Sequence, residues 1–504
     1  MDTKALRQKI LDLAIRGKLV PQDPNDVPAS VLLERIRAEK QQMVKDGKLK
    51  PKDIKNDTVI FKGVDNLHYE KFSDGTVKCI EDEIPFDVPD NWEWVRIKTA
   101  CVINPRNSID DNTEVSFVPM ANIKEGYANK FISDIRVWKK VKKGYTHFAD
   151  NDIGIAKITP CFENKKSVVF SGLINGYGAG TTELHIVRTI SSLVIPEYLL
   201  NFVKRDDFIT GGVLTFSGDV GQQRVTKDYV ANYLFTLPPL NEQQRILNAV
   251  HNANSLIESI EKSKDNLIRD IDKTKSKILD LAIRGKLVTQ DPNDEPASVL
   301  LERIRAEKEE QIKQGKIKRN KKESVIFKGS DNSYYQDLPK MWELVNFKDC
   351  ATLISGRDLN KNEYNAESIG IPYITGASNF INGNILINRW TIVPKTISEV
   401  NDILITCKGT VGELAINKYG NIHIARQIMA IRIYKNINLE YIKFFLESIV
   451  MEIKKTANGL IPGISRDDIL SLNIPLPSLT EQKRIVDEIE KIFAVLDDIA
   501  NQVA

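Results

Sequence analysis

Disulfide and metal chemistry are what this chain most plainly lacks. Its 504 residues hold only Cys79, Cys101, Cys161, Cys350 and Cys407, scattered and without a CxxC pair. An odd, dispersed set reads as reduced packing residues rather than as disulfides or zinc ligands. His68, His147, His185, His251 and His423 offer no HExxH or comparable ligand spacing, so no structural metal is expected. No apolar run approaches membrane-spanning length, and the N-terminus is a charged amphipathic segment rather than a signal peptide. A cytoplasmic protein is expected. Neither sign of charge is in large excess: 71 Lys and Arg stand against 68 Asp and Glu, a net +3. Any basic surface for a nucleic acid must therefore be local.

Catalytic signatures are missing too. Without a GxxxxGK[ST] loop, ATP hydrolysis is not expected. An adenine methyltransferase would need an Asn/Asp-Pro-Pro-aromatic loop for the flipped base, and the nearest match, Asn104-Pro-Arg-Asn107, is spoiled by its arginine and second asparagine. Gly176-Tyr-Gly-Ala-Gly180 does not sit between a clear strand and helix, so it reads as a turn rather than a cofactor loop. Asp152 with Glu163-Asn-Lys165 could hold magnesium and activate water. Such spacings arise by chance, however, and nothing equivalent occurs later in the chain. No catalytic, cofactor or metal residue is assigned.

What the chain does have is repetition. Lys277 to Lys308, KILDLAIRGKLVTQDPNDEPASVLLERIRAEK, repeats Lys9 to Lys40 with only Pro21 against Thr289 and Val27 against Glu295 different. Leu237-Pro-Pro-Leu-Asn-Glu-Gln-Gln-Arg-Ile-Leu247 returns as Leu476-Pro-Ser-Leu-Thr-Glu-Gln-Lys-Arg-Ile-Val486. The offsets, 268 forward and 239 back, make Met1 equivalent to Arg269 and Ala504 to Asp265, so the two copies nearly close a ring. A pseudo-twofold molecule with neighbouring termini is inferred.

In chain order, residues 3–19 read as a helix with Leu6, Ile10 and Leu13 on one face and Gly17 near its stop. Asp23-Pro-Asn-Asp-Val-Pro28 is a turn cluster before a second helix, Ala29 to about Lys45. Lys48 to Lys62 reads as a mobile arm or linker, and its lysine-rich part, Lys48 to Lys55, has a counterpart in Lys313 to Lys322. Near Pro85, and again near Leu338, short strands and turns begin and continue to the Leu-Pro-x-Leu-x-Glu-Gln motif. Ser167–Phe170, His185–Arg188, Asp402–Thr406 and Ile428–Tyr434 read as strands, and Pro196–Asp206 and Leu439–Lys454 as helices. Each insert is thus expected to be an α/β domain, although the two share little beyond Asn151-Asp-Ile153 with Asn401-Asp-Ile403, Glu197-Tyr198 with Glu440-Tyr441, and Val225-Thr-Lys-Asp228 with Ile464-Ser-Arg-Asp467.

From Asn241 to about Arg284, Ile246, Val250, Ala253, Ile257, Ile260, Lys264, Leu267, Ile271, Thr274, Ile278 and Leu281 alternate steps of four and three. This heptad seam predicts a helix about 60 Å long. The two ends of the chain repeat its two halves, so the expected partner is the rebuilt helix lying antiparallel; a dimer formed through the seam is the alternative. Near-identical frames with dissimilar inserts suit a ruler carrying two readers, or a scaffold displaying two protein-binding domains. Recent homogenisation of the frames would explain their identity but not why the inserts escaped it.

Two dissimilar inserts, each closed by Leu-Pro-x-Leu-x-Glu-Gln-x-Arg-Ile and followed by long helices, resemble the specificity subunit of type I restriction-modification enzymes over essentially the whole chain. Gly180-Thr-Thr-Glu183, Ala156-Lys-Ile-Thr-Pro160 and Gly221-Gln-Gln-Arg224 look like motifs of its target-recognition domains, with Cys407-Lys-Gly-Thr-Val-Gly412 and Ala425-Arg-Gln427 near the corresponding places. The second insert has Leu460-Ile-Pro-Gly463 in place of Gly-Gln-Gln-Arg.

The resemblance implies an α+β protein: two α/β target-recognition domains separated by two long antiparallel coiled-coil helices in a pseudo-twofold circular arrangement. The limits are 1–85 for the first frame and arm, 86–240 for the first reader, 241–337 for the central helix and second frame, 338–479 for the second reader and 480–504 for the closing helix. It implies a non-catalytic reader of double-stranded DNA with a bipartite, asymmetric target. Its partners are two methyltransferase subunits, which bind S-adenosylmethionine, and in some complexes restriction subunits that use ATP and magnesium. Lys157, Thr181, Thr182, Gln222, Gln223 and Arg224 in the first insert, and Lys408, Arg426 and Gln427 in the second, are the candidate DNA contacts, because cations suit phosphates and Gln, Thr and Arg suit base edges.

Overall fold

The computed structural model describes residues 2–218, 222–315, 338–381, 383–456 and 463–503. They form two units, Met1–Lys262 and Ser263–Ala504.

In the first unit, α1 (Thr3–Ile15) begins where the Asp2 carboxylate accepts from the Ala5 N–H at 3.0 Å. It ends before Gly17, which has a φ of +65° and where a Cβ would meet Pro89 at 2.5 Å. Its buried face is Arg7, Leu11, Ala14 and Ile15 rather than the expected Leu6, Ile10 and Leu13, and Leu6 is exposed. The reason is Arg7, whose guanidinium donates to Asn254 Oδ1 at 2.9 Å and pairs with Glu261 at 3.1 Å. An Asx turn, with Asn25 N–H donating to Asp23 Oδ1, leads into α2 (Ala29–Lys45), which buries Leu32, Leu33, Ile36 and Lys40 at helical spacing.

The stretch from Lys48 to Lys62 is not a mobile arm. It contains a short helix, Pro51–Ile54, and a strand, Val59–Lys62, which pairs with His68–Lys71 and through it with Val77–Cys79. The buried Lys40 ammonium fastens it, donating to both Asp57 oxygens (3.0 and 2.9 Å) and to Lys98 O (2.7 Å). Of the opposite stretch, residues 316–322 lie outside the described residues.

The first insert is closed by Glu93–Arg96 pairing antiparallel with Leu234–Leu237. Between them lie two four-stranded sheets. One is antiparallel in the order Ser167–Val169, Ile153–Ala156, Leu184–Thr189, Cys101–Ile103. The other runs Asp134–Val137, Glu114–Val118, Tyr177–Gly180, Thr146–Ala149, with its central pair parallel. Gly176 to Gly180 is thus mostly strand. Its glycines admit Phe148, 2.1 Å from a Cβ at Gly178, and Val118 O, 2.2 Å from one at Gly180. The helix expected over Pro196–Asp206 divides into Pro196–Val203 and Asp206–Val213. Frame and insert share one core, in which Leu11, Ile36, Trp92, Val187, Tyr198 and Ile246 meet.

The second unit follows the same plan. Glu343–Asn346 pairs with Asn473–Leu476, and the first sheet runs Ala351–Ser355, Ile428–Ile433, Ile403–Thr406, Leu414–Ile416. The second runs Trp390–Thr391, Ile371–Ile374, Ile422–Ile424, Ile397–Ser398, with its central pair parallel.

The long helix α3 (Leu240–Ile283) is 44 residues, so it spans about 66 Å. Ile246, Val250, Ile257 and Ile271 are buried, but Ile260 (44 %) and Leu267 (39 %) are exposed, so the seam is not continuously covered. The seam position between those two is Lys264, whose ammonium is costly to desolvate. In the second unit α4 (Ala297–Lys313) repeats α2, and α5 (Leu479–Val503) lies beside the end of α3, where Lys275 pairs with Asp497 and covers the Phe493 ring at 5.1 Å.

The two sequence repeats meet in one recurring contact. In the first unit the Glu242 carboxylate, fully buried, accepts from the Trp92 indole at 2.9 Å and from Gln22, while Arg245 pairs with the buried Asp26 at 2.6 Å. Glu481 accepts from Trp342 at 2.9 Å and from Gln290 in the second unit, and Arg484 pairs with Asp294 at 2.6 Å. Gln243 and Gln482 receive the backbone N–H groups of Ile195 and Asn438. Each frame helix pair is thereby latched to its Leu-Pro-x-Leu-x-Glu-Gln turn.

Candidate nucleic-acid interface

In each insert one buried carboxylate organises the strand that leads to the candidate residues. Asn151 and Asn401 both take φ of +69°, and the next residues, Asp152 and Asp402, are each 1 % exposed. Asp152 is held bidentate by Arg188 (both 2.7 Å), and Asp402 by Arg432 (both 2.9 Å). Asp152 also accepts from Ala149 N–H, whereas Lys165 pairs with Asp206. The Asp152, Glu163 and Lys165 trio is therefore not assembled as a metal site.

Beyond that strand the three motifs of the first insert converge. Lys157 N–H donates to Glu183 O at 3.0 Å, Val225 N–H to Lys157 O at 2.8 Å, and Thr159 N–H to Gln223 O at 3.0 Å. Thr181 Oγ1 accepts from the Glu183 N–H at 3.1 Å, which shapes the turn that carries Thr182. Arg224 is committed: it holds Glu183 bidentate at 2.8 and 2.9 Å and donates to Gln222 O at 2.9 Å. That guanidinium keeps the Glu183 carboxyl below the usual carboxylate range. Among the described residues, the side chains of Lys157, Thr182, Gln222 and Gln223 have no hydrogen-bond partner, and Thr182 and Gln222 are exposed. Hence five of the six positions surround a fixed Arg224–Glu183 pair.

In the second insert Cys407 N–H donates to Gln427 O at 2.8 Å, and Ile464 N–H donates to Cys407 O at 3.0 Å. The latter contact matches that of Val225 with Lys157. Lys408, Arg426 and Gln427 are all exposed there. Arg426 pairs with Asp358 at 2.8 Å, and the Gln427 side chain lies over Gly376, where a Cβ would sit 2.4 Å from Oε1. Leu460 to Pro462 lie outside the described residues. The recurring Val225-Thr-Lys-Asp and Ile464-Ser-Arg-Asp runs are helix starts, with Thr226 Oγ1 accepting from Tyr229 N–H and Ser465 Oγ from Asp468 N–H.

Two groups escaped the sequence reading. Glu183 stood inside the Gly-Thr-Thr-Glu motif, and an acid beside unpaired polar residues was the available signal for an arginine clamp. In the sequence Arg106 marks only a spoiled methyltransferase-like loop, yet in the structure it is exposed next to Lys157 and Thr182.

The model of the type I restriction modification DNA specificity domain matches residues 89–269 and 339–503, which contain both inserts and their following helices. The chain belongs to the type I restriction-modification specificity subunits. Two Escherichia coli relatives, the type I restriction enzyme EcoAI and EcoEI specificity subunits, are 34 % and 33 % identical to it. These matches cover 97 % and 99 % of this chain and 89 % and 90 % of theirs. Among solved structures, a chain of a type I R-M system superposes with a TM-score of 0.64 at 20 % identity, covering 83 % of this specificity subunit and 94 % of itself. The HsdS subunit of Thermoanaerobacter tengcongensis gives 0.50 at 20 % identity, with 83 % and 95 % covered. These likenesses show the mixed α/β fold with its long helix. No helix among the described residues is long and apolar enough to cross a membrane.

Proposed function

We propose that this specificity subunit is a non-catalytic DNA reader acting in a cytoplasmic complex. Residues 86–240 and 338–479 each read one half of a bipartite, asymmetric target, and residues 1–85, 241–337 and 480–504 form the frame that joins them. The pseudo-twofold, antiparallel pairing of the long helices belongs to this proposal; the matching latches at Glu242 and Glu481 support it. Two methyltransferase subunits bind the frames and supply S-adenosylmethionine. Restriction subunits, where present, supply ATP and magnesium chemistry. Support for a partner used twice comes from Ser30, Glu34 and Arg35, which recur as Ser298, Glu302 and Arg303 and are exposed in both copies, so core packing does not account for their identity.

The observation that carries the reading is the convergence of three polar segments around the Arg224–Glu183 clamp, with the side chains of Lys157, Thr182, Gln222 and Gln223 unengaged among the described residues. Glutamine amides can pair two-pronged with adenine, and a good bidentate pair discriminates by about 1–3 kcal/mol. Replacing Gln222 and Gln223 by Ala is expected to relax preference at one half-site about 5–150-fold and leave the other half-site unchanged. Competition binding by the assembled complex, using duplexes altered in each half, measures this; equal loss on every duplex would remove these residues from base reading.

A further inference from the structure

The turn Asn104-Pro105-Arg106-Asn107, unsuited to methyl transfer, is clamped at both ends. Asn104, at φ +53°, donates its N–H to Ile186 O at 2.7 Å and accepts from Ile186 N–H through Oδ1 at 2.9 Å. Asn107 donates through Nδ2 to Phe148 O at 2.8 Å and accepts from Arg188 at 3.0 Å, the arginine that also holds Asp152. The turn is thus tied to strands of both sheets, and Arg106 projects from it. Its guanidinium makes one contact, Nη1 to Tyr145 O at 3.2 Å, and its remaining N–H groups are free among the described residues.

Arg106 forms one wall of a recess of about 330 Å³, and Thr146, Lys157 and Thr182 form others. Among the described residues no carboxylate lines it. His147 also borders it, but Nδ1 accepts from Asn107 N–H, Nε2 donates to Lys142 O, and burial pushes its pKa down, so it stays neutral. The segment entering the recess carries Lys139, Lys140 and Lys143, which are exposed and have no carboxylate partner among the described residues. Two cations with the hydroxyls of Thr146 and Thr182 suit the single negative charge of a phosphodiester, and the nearby Glu183 carboxylate is already held by Arg224. In the other insert the corresponding strand, Ala351–Ser355, also exits to an exposed arginine, Arg357, without a side-chain partner among the described residues.

We propose that this recess seats one backbone phosphate of the DNA beside the first half-site. Arg106 and Lys157 grip it, Thr146 and Thr182 donate to it, and the contact fixes the register in which Gln222 and Gln223 meet the bases. The inference rests on the DNA-reading function proposed above and adds a sequence-independent anchor to it.

The test uses the assembled methyltransferase complex, its own target duplex and a duplex with one half-site altered. R106Q is expected to weaken both about equally, by roughly 3- to 10-fold, and to make the slope of log K against log salt shallower by about 0.9, the loss of one phosphate contact. R106K keeps the charge and is expected to restore the slope. Neutral methylphosphonates placed one at a time in the duplex should reveal a single position that weakens wild-type binding and adds no further loss in R106Q. An unchanged slope in R106Q beside a salt-dependent wild type would overturn the phosphate seat while leaving the reader intact. Altered preference at one base pair would overturn it in favour of base reading by Arg106. Wild-type binding with neither salt dependence nor target preference would overturn the DNA reading itself.

Discussion

Exchanging residues 86–237 for the corresponding insert of another specificity subunit is expected to replace one half of the methylated sequence and leave the other half and the spacer as they were. The first insert is closed by its own strand pair, Glu93–Arg96 with Leu234–Leu237, and the hydrogen bonds that assemble its candidate contacts run between residues of that insert. The join must respect the contacts that cross it, of which the latch is the most buried. Trp92 enters with the insert but donates to Glu242 outside it, so the incoming domain needs a tryptophan there. Methylation at the old half-site should fall to background, as read by sequencing modified adenines. Changes in both halves would contradict independent readers.

A second large effect is expected at the latches. Glu242→Ala strips the partner from a buried indole N–H and from Gln22, and removes the buried acceptor beside the Asp26–Arg245 pair. Leaving the buried indole N–H unsatisfied costs about 1–3 kcal/mol. Glu481→Ala should do the same to the second unit. Hydrogen exchange followed by mass spectrometry is the suitable measurement because it localises the loss: protection should fall in α1, α2 and the start of α3 for the first variant, and in α4 and α5 for the second. Burial pushes both carboxyls above their ordinary 4.5. A raised carboxyl stabilises the fold most below the unfolded pKa, and that contribution is lost as pH rises through the folded value. At neutral pH the charge is therefore a cost, and Glu242→Gln, which keeps an acceptor for Trp92, should lose about 1 kcal/mol or less. A Gln variant as unstable as Ala would refute this account of the latch.

The frame was readable because the repeats placed the same residues twice. Helices form at Thr3–Ile15 and Ala29–Lys45, and Gly17 stops α1 for the reason glycine usually does, but the buried face of α1 carries Leu11 in place of Leu6, Ile10 and Leu13. Other features depend on contacts that composition hides. The lysine-rich stretch after α2 is ordered because one lysine, Lys40, is buried against Asp57, a pairing between residues 17 apart that no local pattern announces. Likewise the heptads predicted a seam but not its opening at Ile260 and Leu267, since exposure there depends on what the rest of the chain covers. At the candidate interface, the motifs named most of the convergent positions. The commitment of Arg224 to Glu183 and the position of Arg106 required the sheets that bring distant turns together.

The most direct measurement of the central claim is the adenine methylation pattern of host DNA with and without this chain, its neighbouring genes left in place. The account predicts that a single motif made of two unlike half-sites separated by a fixed spacer loses methylation when the chain is absent and regains it on complementation. If methylation at every motif persists in the absence of the chain while a partner methyltransferase is expressed, the chain is not what gives that enzyme its sequence.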